Sequence, residues 1–316
     1  MDTIDWDADT GWMDVLRGMD DVDADVCQYA SADHLKVENR AAYTRVWCEV
    51  AKHGFAGDEE THRLGRRLMG LLPRLLLTDG EKIHDNRNVF LERCNQVMEL
   101  RGLDELLGRG TVGRRRRLVA ARSDARTKKD VLKSTRRGQY SRAGQILMRD
   151  EVARATPSTE QAAAALFPNR EEELDDLPRP AEHLPASEFD REIFMNLVSL
   201  DNIKTGSAAD SSQNRWEHIG WIVENGGADI LYDVCSKLWS GRFAAEDGEV
   251  AGCGWIFCGM LTCLRKPGDP DDQETLGVDR KIRPIGVGSV LLRLVGGVGT
   301  RMSTAEFSAI FDPAAE

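Results

Sequence analysis

The sequence lacks any long apolar run. Of its 316 residues 41% are hydrophobic and 30% are charged, and no stretch of about 18 consecutive apolar residues occurs, so we expect no membrane span. The first five residues, Met1 to Asp5, carry two aspartates and no basic side chain, whereas a signal or transit peptide begins with basic residues. We therefore expect a cytoplasmic or nuclear protein that is not secreted.

The spacing of cysteine and histidine does not match a common metal-binding motif. The seven cysteines are an odd set without C-x-x-C spacing, and the six histidines form no H-E-x-x-H motif, which argues against a disulfide scaffold or a zinc module. We expect Cys253, Cys258 and Cys263 to lie in a core, and we assign no catalytic residue and no metal ligand. His218 is interpreted as a polar helix residue rather than a base.

The 42 basic residues are outnumbered by 53 acidic ones and are concentrated in one segment. The net charge is -11, yet residues 101–154 hold sixteen Lys and Arg and only six Asp and Glu, a net charge of +10. Such a segment can contact nucleic-acid phosphates, and it is also typical of a solvated linker or a nuclear-import signal. The candidate contacts to RNA or DNA are Arg114, Arg115, Arg116, Arg117, Lys128, Lys129, Arg136 and Arg137.

Proline is nearly absent from the first half, with one example, Pro73, before residue 157. Apolar residues recur there at helical spacing and predict helices over 37–53, 59–77 and 88–107. Residues 1–25 contain nine Asp and one Arg and predict disorder. We divide the chain into an acidic arm (1–32), a helical region (33–110), a segment with the basic stretch, a helix and a Pro-rich acidic linker (111–187), and a second domain (188–316).

The second domain mixes helices with a predicted β-hairpin. Helices are expected around 189–197, 216–224 and 231–240, with serines of the loop 205–212 capping the second of them. The apolar run 255–264 and the segment 281–287 predict two paired strands, followed by a helix from Ser289 that three glycines, Gly296, Gly297 and Gly299, weaken. Trp216 and Trp221 are expected in the core.

The hairpin would bring two cations to one face. Lys266 follows the first strand in Leu264-Arg265-Lys266-Pro267, and Arg283 opens the second in Arg283-Pro284-Ile285-Gly286-Val287-Gly288. An ammonium and a planar guanidinium placed together suit the oxygens of a triphosphate. Surface hairpins also carry Lys and Arg without such a role, so the spacing alone leaves both interpretations open.

These strings resemble the fingers motifs of retroelement reverse transcriptases of the non-LTR type. The resemblance continues through Arg283 to Val295, the block Thr205 to Ile219, and the segments 141–157 and 166–168, so it spans about 140–312. It implies an incomplete fold of that kind, with a mainly α N-terminal region followed by an α+β partial fingers and palm region.

The resemblance also implies roles for individual residues. Lys266 and Arg283 would approach the triphosphate of an incoming nucleotide, and Gly286 and Gly288 would approach the template or the base pair closely. The palm aspartates that hold Mg²⁺ in the family, in motifs like D..NAF and Y.DD, do not occur here, so we expect a truncated chain without polymerase activity and with Mg²⁺ only in a full-length relative. The alternatives are a non-enzymatic helical interaction protein and a poorly folding pseudogene product, whose apolar run 255–264 would stay uncovered.

Overall fold

A computed structural model describes residues 4, 34–56, 59–77, 86–102, 124–136, 157–166, 187–203, 209–241, 254–257, 260–265 and 282–311. We number the elements in chain order. They are α1 (Val37–Ala56), α2 (Glu59–Leu77), α3 (Arg87–Met98), α4 (Asp124–Arg136), α5 (Pro157–Leu166), α6 (Arg191–Leu197), α7 (Trp216–Glu224), α8 (Ala228–Ser240), α9 (Gly254–Phe257), β1 (Met260–Arg265), β2 (Ile282–Val287) and α10 (Val290–Phe311). The described fold is mostly helical, with one two-stranded antiparallel sheet, as the sequence predicts.

The chain divides into two compact units, each built from separate sequence segments. Met1–Arg116, Ser187–Met260 and Gly288–Glu316 form the first, which we call the helical unit, and Arg117–Ala186 and Leu261–Val287 form the second, the mixed unit. The helical unit contains α1 to α3 and α6 to α10. The mixed unit contains α4, α5, β2 and all of β1 after its first residue.

Helix α1 is the centre of the helical unit. It packs against α2, α3, α7 and α8, and its Tyr43 and Val50 are completely buried. The contact with α2 is a close crossing of two glycines, because a Cβ added at Gly65 would lie 2.6 Å from the backbone nitrogen of Gly54. A side chain at this crossing would force the helices apart.

The long C-terminal helix α10 closes the other side of the same unit. It packs against α6, α8 and α9. The glycines that we expected only to weaken it have a packing role at two positions: a Cβ at Gly297 would lie 3.0 Å from Leu197, and one at Gly299 would lie 2.8 Å from the ring of Trp239. Gly296 is exposed and meets no neighbour, so the expected weakening applies there alone.

The mixed unit has a small apolar contact between a helix and the sheet. Helix α5 packs against β2, where Ala163 and Ile282 are buried and Cys263 of β1 packs beside them. Cys263, which was expected in a core, is half-buried beside this contact. Cys253 and Cys258 lie outside the described residues.

Two predicted elements were wrong in their bounds. The helix expected over 88–107 ends at Met98, because Leu100 has a positive φ of 51° and turns its buried side chain back into the core. The strand expected over 255–264 is instead the short helix α9 followed by β1. Trp255 is held in α9 by a hydrogen bond of 2.9 Å from its indole nitrogen to the Arg66 carbonyl oxygen.

At the four residues of the run 255–264 whose burial is described, the expected uncovered apolar face is not found. Trp255 is 9% exposed and Ile256 is completely buried in the core of the helical unit, while Cys263 and Leu264 are half-buried. The structural reason for expecting a poorly folding product therefore does not hold for these residues.

Two local expectations also need correction. The acidic arm lies outside the described residues except for Ile4, which is buried at 4% exposure among the core residues and so is not frayed. The serines before α7 do not cap it, since its N-cap, Arg215, makes no side-chain capping bond. In the described part of the chain no helix is long and apolar enough to cross a membrane.

Candidate nucleic-acid interface

The predicted pairing of the two segments that carry Lys266 and Arg283 is present. Strands β1 and β2 are hydrogen-bonded neighbours. Arg283 is the second residue of β2, and its side chain is exposed. Lys266 directly follows the last residue of β1 but lies outside the described residues, so its closeness to Arg283 stays a prediction.

The two faces of β2 differ in what covers them. Ile282 is 4% exposed and packs with Ala163 of α5, whereas Arg283, the next residue, is exposed. Because successive strand residues point to opposite faces, Arg283 lies on the face away from this contact. Ile285 shares that face and is 39% exposed. The strand therefore offers a cation beside an apolar side chain on its open face.

Gly286 and Gly288 follow at the end of this strand with free space around them. A Cβ built at either glycine would meet nothing within 4 Å among the neighbouring atoms. Among the described residues, no neighbouring side chain therefore occupies the space beside either glycine.

A buried carboxylate fixes the start of the helix that follows. Oδ2 of Asp210 accepts a hydrogen bond of 2.9 Å from the backbone N–H of Val290, the first residue of α10. The Ser289 hydroxyl accepts the next N–H, that of Leu291, at 3.2 Å. Two of the N–H groups that every helix start leaves unpaired are satisfied in this way.

The other oxygen of Asp210 organises its own loop. Oδ1 accepts from the Ser212 hydroxyl and from the Asn214 backbone N–H, both at 2.8 Å. Burial raises the pKa of Asp210, while these hydrogen bonds and the nearby Arg293 lower it in part. The loop that carries Asp210 thus acts as a clamp on the start of α10.

Arg293 completes this clamp from the first turn of α10. Its guanidinium lies 5.8 Å from the ring centroid of Trp216, a cation–π arrangement. Burial lowers the pKa of Arg293, and the Asp210 carboxylate raises it in part. No sequence pattern reveals the clamp, because Asp210 and Val290 are 80 positions apart.

The basic segment is described only in part. Arg114, Arg115, Arg116, Arg117 and Arg137 lie outside the described residues. Lys128, Lys129 and Arg136 lie on α4, and all three are exposed. Residues 124–136 form a helix, and whether this segment contacts phosphates or is a solvated linker stays open.

His218 lies on helix α7, as expected, and is completely buried. Its ring lies 4.9 Å from that of Trp221 and 5.9 Å from that of Tyr43, centroid to centroid. Trp216 and Trp221 are buried, as predicted. These aromatic groups belong to the core of the helical unit and offer no surface for stacking on bases.

Neither a metal site nor a relative identifies the interface further. Among the described residues no group of three or more His, Cys, Asp and Glu side chains could hold a metal ion. No protein family, curated protein or solved structure matches the chain.

Proposed function

We propose that the chain is related to retroelement reverse transcriptases and binds nucleic acid and nucleotides. The observation that carries the proposal is the antiparallel pairing of β1 and β2 with Arg283 exposed on the open face of the sheet. Arg283 and Lys266 are the residues proposed to approach the triphosphate of a nucleotide.

The chemistry of the open face supports this proposal. A guanidinium can donate two parallel hydrogen bonds to phosphate oxygens, and a neighbouring ammonium adds a second positive charge. The space beside Gly286 and Gly288 allows a base or a sugar to come close to the backbone. The clamp at Asp210 fixes where α10 begins, shortly after β2 ends.

The test is nucleotide binding by the full chain, measured by filter retention of a radiolabelled deoxynucleoside triphosphate. We expect Arg283→Gln and Lys266→Gln each to lower the affinity about tenfold or more, since a hydrogen bond to a charged group contributes about 1.5–3 kcal/mol. Arg301→Gln, which removes another exposed arginine, is the control and should bind like the wild type.

The salt dependence of binding is the second readout. Phosphate contacts release counterions, so the affinity for RNA or DNA should fall as salt rises. A wild-type chain that binds neither nucleotide nor nucleic acid at low salt would overturn the proposal and favour a helical interaction protein. Equal nucleotide affinity in the Arg283→Gln variant would remove the role of the sheet.

A further inference from the structure

Helix α4 presents one exposed cationic face. Lys128, Lys129 and Arg136 are exposed, and Leu132, between them, is 47% exposed. Ser134 is buried at 6% exposure. One side of the helix is therefore buried, and the basic side chains that the structure describes lie on the exposed side.

Helical geometry places these side chains in a narrow arc. With about 100° of rotation per residue, Lys128, Lys129, Leu132 and Arg136 fall within roughly 100° of the helix circumference, and Ser134 falls on the opposite side. The three charges thus act together on whatever faces them. From Lys128 to Arg136 the arc extends about 12 Å along the axis, at about 1.5 Å per residue.

Two arginines of the helical unit form ion pairs. Arg40 pairs with Glu224 at 2.7 Å and Arg191 with Asp229 at 2.5 Å. Among the side chains that the structure describes, no carboxylate forms an ion pair with Lys128, Lys129 or Arg136; the side chains of Asp124 and Asp130 on the same helix lie outside the described residues. Three like charges on one face repel each other, and an external polyanion would relieve that repulsion.

We propose that the exposed face of α4 binds double-stranded DNA through its phosphates; this rests on the nucleic-acid binding proposed above. An α-helix with its side chains is about 10–12 Å across and fits the major groove of B-form DNA, which is about 12 Å wide, whereas the major groove of duplex RNA is too narrow. Leu132 at the centre of the face can contact thymine methyl groups. The described part of this face carries no aromatic side chain to stack on single-stranded bases.

The experiment measures the affinity of the full chain for a fluorescent DNA duplex of about 20 base pairs at several salt concentrations. In the test variant Lys128, Lys129 and Arg136 are replaced together by Gln. We expect the slope of log affinity against log salt to become shallower by about 2.7, which is about 0.9 for each phosphate that the variant no longer neutralises. A Leu132→Ala variant should bind more weakly with an unchanged slope.

Two controls separate this result from a general charge or folding effect. The first replaces three exposed cations of the helical unit, Lys52, Arg191 and Arg301, by Gln; it changes the net charge equally and should leave the slope unaltered. The second exchanges Lys and Arg at the three α4 positions, which keeps every charge and should preserve the slope. Thermal melting of each variant shows whether it is folded.

The outcomes distinguish the two proposals. If the wild type binds DNA and the triple Gln variant keeps its slope, the α4 interface is wrong while nucleic-acid binding stands. If single-stranded DNA or duplex RNA of the same length binds as tightly as duplex DNA, the assignment to duplex DNA is overturned. If the wild type binds no nucleic acid or nucleotide at all, the proposed function falls as well.

Discussion

Two tyrosines of the helical unit form a matched pair for testing the core. Tyr43 is completely buried, and its hydroxyl has no hydrogen-bond partner among the described residues. Tyr232 is half-buried, and its hydroxyl donates a hydrogen bond of 2.9 Å to the Phe189 carbonyl oxygen. Replacing each by Phe removes a single oxygen atom, yet the two variants should change stability in opposite directions.

The expected magnitudes follow from the state of each hydroxyl. A buried polar group without a partner destabilises the fold by about 1–3 kcal/mol, so Tyr43→Phe should raise the free energy of unfolding by about 1 kcal/mol or more. Tyr232→Phe removes a satisfied hydrogen bond and should lower it by about 1 kcal/mol. Burial also raises the pKa of Tyr43, so this ring should stay neutral at alkaline pH for as long as the chain is folded.

Urea unfolding followed by tryptophan fluorescence measures both variants against the wild type. Relative to the wild type, the melting temperature should rise in Tyr43→Phe and fall in Tyr232→Phe, in each case by about 2–4 °C for a domain of about 150–250 residues. If Tyr43→Phe lowers stability as Tyr232→Phe does, the Tyr43 hydroxyl has a hydrogen-bond partner and the reasoning from its burial is wrong.

Three further predictions concern the same unit. Gly65→Ala should lower the melting temperature because its Cβ meets the Gly54 backbone. Gly296→Ala, where no described neighbour lies near the new Cβ, should raise the free energy of unfolding by about 1 kcal/mol and with it the melting temperature. Equal changes of melting temperature in the two variants would refute the close crossing of α1 and α2. Asp210→Asn leaves one acceptor oxygen for three hydrogen-bond donors and should reduce the free energy of unfolding by about 1–3 kcal/mol. An unchanged midpoint of urea unfolding would contradict the clamp. Burial raises the pKa of Cys94 to about 12, so its thiol should not react with iodoacetamide at about pH 8 while the chain is folded. Peptide mapping should find Cys94 modified only in the denatured chain. Modification of the folded chain would show that the site opens.

The sequence predicted elements whose signals are local. A helix was expected around 231–240 and is present as α8, where Leu231 and Val234 are buried and Gly241 takes the left-handed conformation after it. Strand β2 was expected at 281–287 and lies at Ile282–Val287. In both cases neighbouring residues carry the periodicity and the stop signal.

Features that depend on distant partners could not be predicted. The split of the apolar run into α9 and β1 depends on Trp255, whose ring lies against Gly70. The burial of His218 depends on Tyr43, far away in the sequence. An apolar run looks alike in a strand and in a buried helix, and a polar residue can be buried wherever the surrounding chain provides contacts.

For the candidate interface, residue types were predictable and arrangement was not. The run of Lys and Arg was visible in the sequence, but only the helix α4 shows that Lys128, Lys129 and Arg136 share one face. Arg283 was expected at the start of a strand, and its exposed face follows from Ile282 packing against α5.

The helical unit consists of three separate sequence segments, so it cannot fold completely until the last of them has been synthesised. The segment Met1–Arg116 is synthesised well before Ser187–Met260 and Gly288–Glu316, although all three belong to one compact body. At about 5–20 residues per second, the early helices wait on the order of ten seconds or more for their C-terminal neighbours. During that delay the apolar surface of α1 that α7 and α8 later cover stays exposed to water.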